Sequence, residues 1–247
     1  MVPRISKNSL AEGQIDRQVL TNSHSPFAEA INDIRTAILF SHVDKPSKVI
    51  LVTSAVPAEG KTTLVSNLAL AFCRRGQTLL IDGDLRKGRL HHITQMGDRP
   101  GLTDLLSGEC TAKEAVVPDP EAENLFLLLT GTTPPNPLEM ISSKRFSDDL
   151  FRLRDRFDYI IIDATPLLPV SDCIVLARLV DAVVLAVKAD DTSCDAVLDS
   201  IKRLQSARVR PVGVVMQQVD MKKMRNYGQR YSASYNGYYG HHAQANS

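Results

Sequence analysis

Residues 48–73 read KVILVTSAVPAEGKTTLVSNLALAFC, and this segment contains two hydrophobic patterns of different period. Its first part, KVILVT, is an apolar run rich in Val and Ile, which predicts a buried β-strand. The part after Lys61 and two threonines, LVSNLALAF, has the periodicity of a helix. A strand that leads through a glycine–lysine loop into a helix indicates an α/β unit with an anion site at the helix start.

The same alternation continues along the chain. Further strands are predicted at 78–82, 125–129, 159–163, 182–187 and 212–216, and helices at 27–38, 61–75, 170–180 and 192–207. Strands that are apolar throughout are buried on both faces, as in a parallel sheet covered by helices. The predicted fold class is therefore α/β, with a doubly wound, mainly parallel sheet that carries helices on both faces, as in P-loop NTPases.

Composition divides the chain of 247 residues into three predicted parts. Residues 1–25 mix polar and charged residues without periodicity and are expected to form a flexible lead-in rather than a packed element. Residues 26–220 are long enough for one α/β domain. Residues 221–247 have the composition of a disordered tail.

Charge and cysteine content exclude some classes of function. The 29 Lys and Arg residues balance 28 Asp and Glu residues, which gives no reason to expect nucleic acid as a partner. The four cysteines show no C-x-x-C spacing, so neither a zinc site nor a disulfide framework is indicated. No apolar run approaches the roughly 20 residues that span a bilayer. A soluble chain in a reducing compartment is predicted.

Residues 54–63, SAVPAEGKTT, match the Walker A pattern with Ala55 at the first glycine position. Backbone N–H groups of such a loop surround phosphates at a helix N-terminus. Lys61 is expected to reach the β and γ oxygens of ATP, and the Thr62 hydroxyl to ligate Mg²⁺. The predicted nucleotide-binding residues are Val56, Pro57, Ala58, Glu59, Gly60, Lys61, Thr62 and Thr63. The alternative is an ordinary connection between strand and helix.

Acidic residues end two other apolar strands. Asp82 and Asp84 follow in TLLIDGDLR, and Asp163 follows in YIIIDATP. A carboxylate at the end of a buried strand is costly unless a metal or hydrogen-bond donors lie there, and ligands of open α/β sheets bind at this edge. Thr62, Asp82 and Asp163 are the predicted metal site, with Asp163 acting through water and Asp82 near the nucleophile. The alternative is that each Asp caps the following helix, most plausibly Asp84.

Several separated motifs resemble those of the bacterial tyrosine kinases of polysaccharide export, which are relatives of the MinD/ParA ATPases. These motifs are residues 54–91, GLTDLLSGE at 101–109, GTTPPNPLEMISS at 131–143 and FDYIIIDATP at 157–166. Two features separate the chain from MinD/ParA. The extra lysine of those ATPases near the loop start is missing, and five of the six tyrosines lie in the tail.

The resemblance implies an ATP-dependent protein tyrosine autokinase that regulates the chain length and export of a capsule or exopolysaccharide. It implies ATP and Mg²⁺ as cofactors and the following catalytic residues: Lys61, Asp82, Asp84, Arg86 and Asp163. The implied phosphoacceptors are Tyr227, Tyr231, Tyr235, Tyr238 and Tyr239. A mobile tyrosine is able to enter an active site as a substrate, whereas the alternative is a tail without such a role.

The resemblance also implies partners and a location. A ring-shaped homo-oligomer is expected through the helix with Glu29, Asn32 and Arg35, although the family's usual E-x-x-R-x-x-R has Asn32 at its middle arginine. A membrane chain-length regulator, fused or separate, and a tyrosine phosphatase are the other expected partners, at the cytoplasmic face of the inner membrane. The opening MVPRISKNSL resembles the stretch after the second membrane span of fused members, which favours the fused form.

Two other functions stay open on the sequence. One is a MinD/ParA-like ATPase that uses ATP as a dimerisation switch. The other is a nucleotide-binding adaptor without turnover. Both retain the Walker A loop, so that loop alone does not distinguish them from a kinase.

Overall fold

The computed structural model describes residues 1–5, 14–41, 46–94 and 99–223. The helices are α1 (Gln18–Thr21), α2 (Pro26–Leu39), α3 (Lys61–Cys73), α4 (Leu90–Thr94), α5 (Leu102–Ser107), α6 (Ala112–Ala115), α7 (Pro137–Ser142), α8 (Lys144–Arg156), α9 (Asp172–Ala177) and α10 (Cys194–Ser206). The strands are β1 (Val49–Ser54), β2 (Thr78–Asp82), β3 (Val116–Pro118), β4 (Leu125–Leu128), β5 (Tyr159–Asp163), β6 (Ala182–Lys188) and β7 (Gly213–Gln217). A 3-10 turn, Gln14–Arg17, precedes α1.

The strands form one sheet in the order β3–β4–β2–β5–β1–β6–β7. All neighbours pair in parallel except β3 and β4, which are antiparallel. The predicted fold class is confirmed, and each predicted strand coincides with an observed one. The strand β3 was not predicted, because it has three residues and ends in a proline, which a sheet edge tolerates.

Helices cover both faces of the sheet and create two hydrophobic cores. In the interior strand β1, Ile50 and Val52 face the core beneath α2 and α3. Val49 and Leu51 face the opposite core, which contains residues of α8 and α9. Alternate residues of a strand point to opposite faces. Because both faces of β1 are covered by a hydrophobic core, every residue of its run 49–52 must be apolar. No helix in the described ranges is both long and apolar enough to cross a bilayer.

The first residues of the chain are attached to the far edge of the sheet. Val2 donates its N–H to the carbonyl of Met216 at 2.8 Å, and Arg4 donates to Val219 at 2.9 Å. The Val2 side chain is fully buried. The expectation that residues 1–25 contain no packed element is therefore wrong for residues 1–5.

Residues 14–21, here termed the N-terminal strap, lie along α3. Asn67 of α3 accepts the N–H of Val19 and donates to the carbonyl of Ile15, both at 2.9 Å. Arg17 forms a bidentate ion pair with Asp119 at 3.0 and 2.5 Å. The same expectation is wrong for the strap, because polar contacts to distant residues hold it and these leave no periodic pattern in the sequence.

Candidate active site

Three neighbouring strands bring the predicted phosphate loop and both strand-end carboxylates together. In the register of the sheet, Asp82 of β2 lies beside Asp163 of β5, and Asp163 lies beside Val52 of β1, the strand that leads into the loop. The carboxyl ends of parallel strands meet at one edge of the sheet. The predicted site residues Asp82 and Asp163 are thus placed side by side next to residues 54–63.

The loop from Ser54 to Gly60 has the backbone conformation of a tight turn. Gly60 has a φ of 85° and Ala58 a φ of 66°, in the left-handed region that disfavours a side chain. Ala55, which replaces the first glycine of the pattern, is not among the described residues with positive φ. Alanine at this position therefore costs no backbone strain, and the Walker A assignment is compatible with it.

Glu59 supports the loop from inside the protein. Its side chain is buried, and Oε2 accepts the N–H of Val56 at 2.7 Å. Its Oε1 accepts the hydroxyl of Thr192 and, at 3.4 Å, the N–H of Lys188. The carboxylate thus fixes the loop to the end of β6 instead of facing a nucleotide. Thr192 was not predicted as a site residue, because it lies 133 residues from Glu59 and belongs to no motif.

Asp163 and Thr62 place carboxylate and hydroxyl oxygens together at the phosphate loop. The Thr62 hydroxyl donates to Asp163 Oδ2 at 2.7 Å, and Oδ1 is buried without a hydrogen-bond partner among the described residues. Burial raises the pKa of Asp163 to about 6, although the Lys61 charge and the Thr62 hydroxyl lower it. Mg²⁺ prefers oxygen ligands and takes few carboxylates. An orphan carboxylate oxygen beside a threonine hydroxyl therefore fits this ion.

Asp82 has fewer compensating groups. Its Oδ2 accepts the N–H of Leu90 at 3.1 Å, and Oδ1 accepts the N–H of Asp84 at 3.4 Å. The side chain is fully buried. Burial and the negative charge of Asp163 raise the pKa of Asp82 to about 7. A carboxyl that titrates near neutral pH is suited to exchange a proton with a substrate.

The structure places the other two predicted catalytic residues differently. Asp84 Oδ1 accepts the N–H groups of Arg86 and Lys87 at 3.2 and 3.0 Å, so it caps the turn after β2. Arg86 forms a bidentate ion pair with the buried Asp172 of α9, at 2.5 and 3.1 Å. Their catalytic roles stay predictions. The observed contacts stabilise the turn after β2 and connect it to α9.

One further carboxyl near the loop was not foreseen. Asp16 of the N-terminal strap accepts the hydroxyl of Thr63 at 2.6 Å. Burial raises the pKa of Asp16, and Thr63 and the positive charge of Arg89 act in the opposite direction. Asp16 is 47 residues from Thr63 and lies in a stretch without periodicity, so the sequence carries no signal for it.

The structure describes the predicted oligomerisation helix but not the predicted phosphoacceptor tyrosines. On α2, the Arg35 guanidinium donates to the carbonyl of Ala71 at 2.8 Å, which attaches α2 to α3 within one molecule. Glu29 and Asn32 are half-buried. The five predicted phosphoacceptor tyrosines lie outside the described residues.

Comparison with known proteins agrees with this geometry. Residues 47–212 match the family described as the AAA domain. The chain is 33% identical over 204 residues to the putative tyrosine-protein kinase CapB of Staphylococcus aureus, which covers 82% of the chain and 89% of CapB. It is 32% identical over 225 residues to the tyrosine-protein kinase YwqD of Bacillus subtilis, which covers 91% and 94%.

Solved structures give the same result. The kinase domain of the Escherichia coli tyrosine kinase ETK superimposes with a TM-score of 0.81 at 26% identity and covers 89% of both chains. The cell division ATPase MinD of Pyrococcus furiosus, at a TM-score of 0.57 and 24% identity, shares the fold alone. With its P-loop, its two strand-end carboxylates and these relatives, the chain belongs to the bacterial tyrosine-protein kinases.

Proposed function

We propose that this chain transfers the γ-phosphoryl group of ATP to tyrosines in the C-terminal tails of neighbouring copies of the same chain. The observation that carries this proposal is the pairing of two buried carboxyls with different chemistry beside the phosphate loop. Asp163, bonded to Thr62, is suited to a cation, and Asp82, with its pKa near 7, is suited to a proton.

The chain's own residues have separate tasks in the reaction. The loop at 56–63 and the N-terminus of α3 bind the phosphates, and Lys61 offsets their charge. Thr62 and Asp163 would hold Mg²⁺, which neutralises charge on the phosphates when bound. Asp82 accepts the phenol proton while the bond between the γ-phosphorus and the ADP oxygen breaks and the bond to the tyrosine oxygen forms. Positioning and charge neutralisation account for most of the catalysis.

The biological role follows the family resemblance. The kinase is proposed to regulate chain length and export of a capsule or exopolysaccharide at the cytoplasmic face of the inner membrane. Its proposed partners are a membrane chain-length regulator, a tyrosine phosphatase and other copies of itself. Glu29 and Asn32 of α2 are proposed for contact with other copies, whereas the observed bond to Ala71 occupies Arg35 within its own molecule.

The test separates a kinase from an ATPase switch and from an inactive adaptor. The purified chain is incubated with Mg·ATP, free phosphate is measured, and tail peptides are analysed by mass spectrometry. Phosphotyrosine in the tail is expected, and its loss in Lys61→Met with the fold retained would assign it to this site. Free phosphate without phosphotyrosine would indicate the ATPase switch, and neither product would indicate the adaptor.

A further inference from the structure

The turn between β2 and α4 folds back over Asp82 and fixes the backbone of Arg89. Leu90 donates its N–H to Asp82 Oδ2 at 3.1 Å, and its side chain is fully buried. A Cβ atom on Gly88 would lie 2.7 Å from the same oxygen and would collide with the Thr130 hydroxyl. Only glycine allows this close approach. Arg89 therefore stands between two residues that contact Asp82.

The charge of Arg89 acts at the first turn of α3. Two consecutive loop threonines donate to two carboxyls there, Thr62 to Asp163 at 2.7 Å and Thr63 to Asp16 at 2.6 Å. The positive charge of Arg89 lowers the pKa of both carboxyls against the larger effect of burial. The backbone geometry agrees, because the next residue, Leu90, is bonded to Asp82, and Asp82 lies beside Asp163, the partner of Thr62. Arg89 is therefore attached next to the helix N-terminus, where phosphates bind.

The Arg89 side chain is available to a ligand. It is exposed, and in the described part of the chain its guanidinium has no hydrogen-bond partner and no ion pair within 4.0 Å. Arg86, three residues earlier, is held by Asp172. The turn thus carries one arginine that fastens it to α9 and one that projects towards solvent at the phosphate site.

We infer that Arg89 is a catalytic residue that binds the γ-phosphoryl group of ATP and stabilises the charge on its oxygens during transfer. The inference rests on the proposed function and adds a residue to the same site. A guanidinium matches phosphate oxygens with parallel N–H groups. Charge on the transferring phosphoryl group is spread over its three equatorial oxygens, and an arginine supplied within the same chain stabilises it.

The experiment compares Arg89→Ala and Arg89→Lys with Lys87→Ala, a matched control in which a neighbouring exposed cation of the same turn is removed. Single-turnover reactions with radiolabelled Mg·ATP measure phosphotyrosine and free phosphate together, and calorimetry measures Mg·ADP affinity. Arg89→Ala is expected to lower the transfer rate about 100-fold or more. Because ADP lacks the γ group, its affinity should change by less than about threefold. Arg89→Lys should retain an intermediate rate, because lysine keeps the positive charge but lacks the parallel N–H groups of the guanidinium.

The outcomes distinguish this inference from the proposed function. If the parent chain forms phosphotyrosine and Arg89→Ala keeps the rate of Lys87→Ala, Arg89 is not catalytic while the kinase assignment stands. An equal loss of ADP affinity and rate would also overturn the catalytic role. If the parent releases phosphate without phosphotyrosine, the kinase proposal fails, and the effect of Arg89→Ala on phosphate release decides the inference. A parent without either product would overturn both.

Discussion

Asp82 and Asp163 occupy neighbouring positions of two parallel strands, yet their surroundings give them different chemistry. Asp163 has the Thr62 hydroxyl and the Lys61 charge to favour its ionised form, and its pKa is raised only to about 6. Asp82 has backbone N–H donors and the repulsion of Asp163, and its pKa is raised to about 7. The partners of the two carboxyls, and not the small difference between their pKa values, suit Asp163 to a cation and Asp82 to a proton.

The raised pKa of Asp82 predicts a stability that depends on pH. Asp82 binds its proton more tightly in the folded protein than in the unfolded chain, where its pKa has the ordinary value of 3.8. The stabilisation by the neutral carboxyl is complete below about pH 4 and is lost as the pH rises through about 7. Asp82→Asn cannot ionise. It should therefore exceed the parent's free energy of unfolding by about 1–3 kcal/mol at pH 8, and by less at pH 5.

Urea unfolding at pH 5 and pH 8, without nucleotide and with a chelator to exclude Mg²⁺, measures this difference. Asp155→Asn, at an exposed carboxyl of α8, is the matched control. A difference between Asp82→Asn and the parent that stays constant or shrinks from pH 5 to pH 8 would show that Asp82 is not held in its neutral form.

The orphan Oδ1 of Asp163 predicts a different effect for Asp163→Asn. The amide keeps an oxygen for the Thr62 hydroxyl but loses the charge that attracts a cation. We expect the Mg²⁺ concentration for half-maximal phosphoryl transfer to rise about tenfold or more, since an outer partner of a metal commonly contributes 10- to 100-fold to affinity. Titration of Mg²⁺ at fixed ATP measures it. An unchanged midpoint with a reduced maximal rate would place Asp163 outside the metal site.

At the scale of elements, the strands and the acidic residues at their ends could be predicted, because both leave a local pattern in the sequence. Strands buried on both faces leave uninterrupted apolar runs, and acidic residues at their ends must meet at one sheet edge, so Asp82 and Asp163 were predictable. The pairing of Arg86 with Asp172 was not, because the two residues are 86 positions apart and belong to different elements. The same reason hides Arg89 and the N-terminal strap: their positions depend on tertiary contacts, not on periodicity.

Asn67 gives the strap a testable dependence on α3. Its side chain is fully buried and serves the Val19 N–H and the Ile15 carbonyl. Asn67→Ala leaves both backbone groups without this partner, at a cost of about 1–3 kcal/mol. Hydrogen exchange should accelerate in residues 14–21 and change little in β1 and β5. Asn22→Ala, at an exposed asparagine after α1, is the control. Protection of the strap equal to that of the parent would refute its dependence on Asn67.

At the scale of the whole molecule, positive and negative residues are nearly equal in number, but the C-terminal tail is purely basic. Residues 221–247 contain Lys222, Lys223, Arg225 and Arg230 but no Asp or Glu. Each phosphorylated tyrosine adds about −1.5 to −2 charges at pH 7. Modification of the five tail tyrosines would therefore reverse the charge of the tail from basic to strongly acidic. On the proposed function, we therefore expect the unmodified basic tail to approach the site that contains Asp82 and Asp163, and the phosphorylated tail to be repelled from it.

This reversal predicts that self-association and autophosphorylation are coupled. The unmodified chain should associate through α2, and because tails are captured by neighbours, the specific rate of autophosphorylation should rise steeply with protein concentration. Phosphorylation should then loosen the assembly, since modified tails repel one another and the carboxylates of neighbouring sites. Light scattering before and after incubation with Mg·ATP measures the mass. Lys61→Met, which should bind tails without modifying them, is the control and should keep its mass.

Deletion of residues 227–247 separates capture of the tail from the site itself. The shortened chain should bind Mg·ATP as the parent does, because the described site residues all precede Lys223, and it should lose most autophosphorylation. Added in trans to Lys61→Met, it should phosphorylate the intact tail of that variant, because site and acceptor then lie on different molecules. A rate per molecule that is independent of concentration would show that each chain modifies its own tail. An identical mass before and after phosphorylation would remove charge reversal as the means of release.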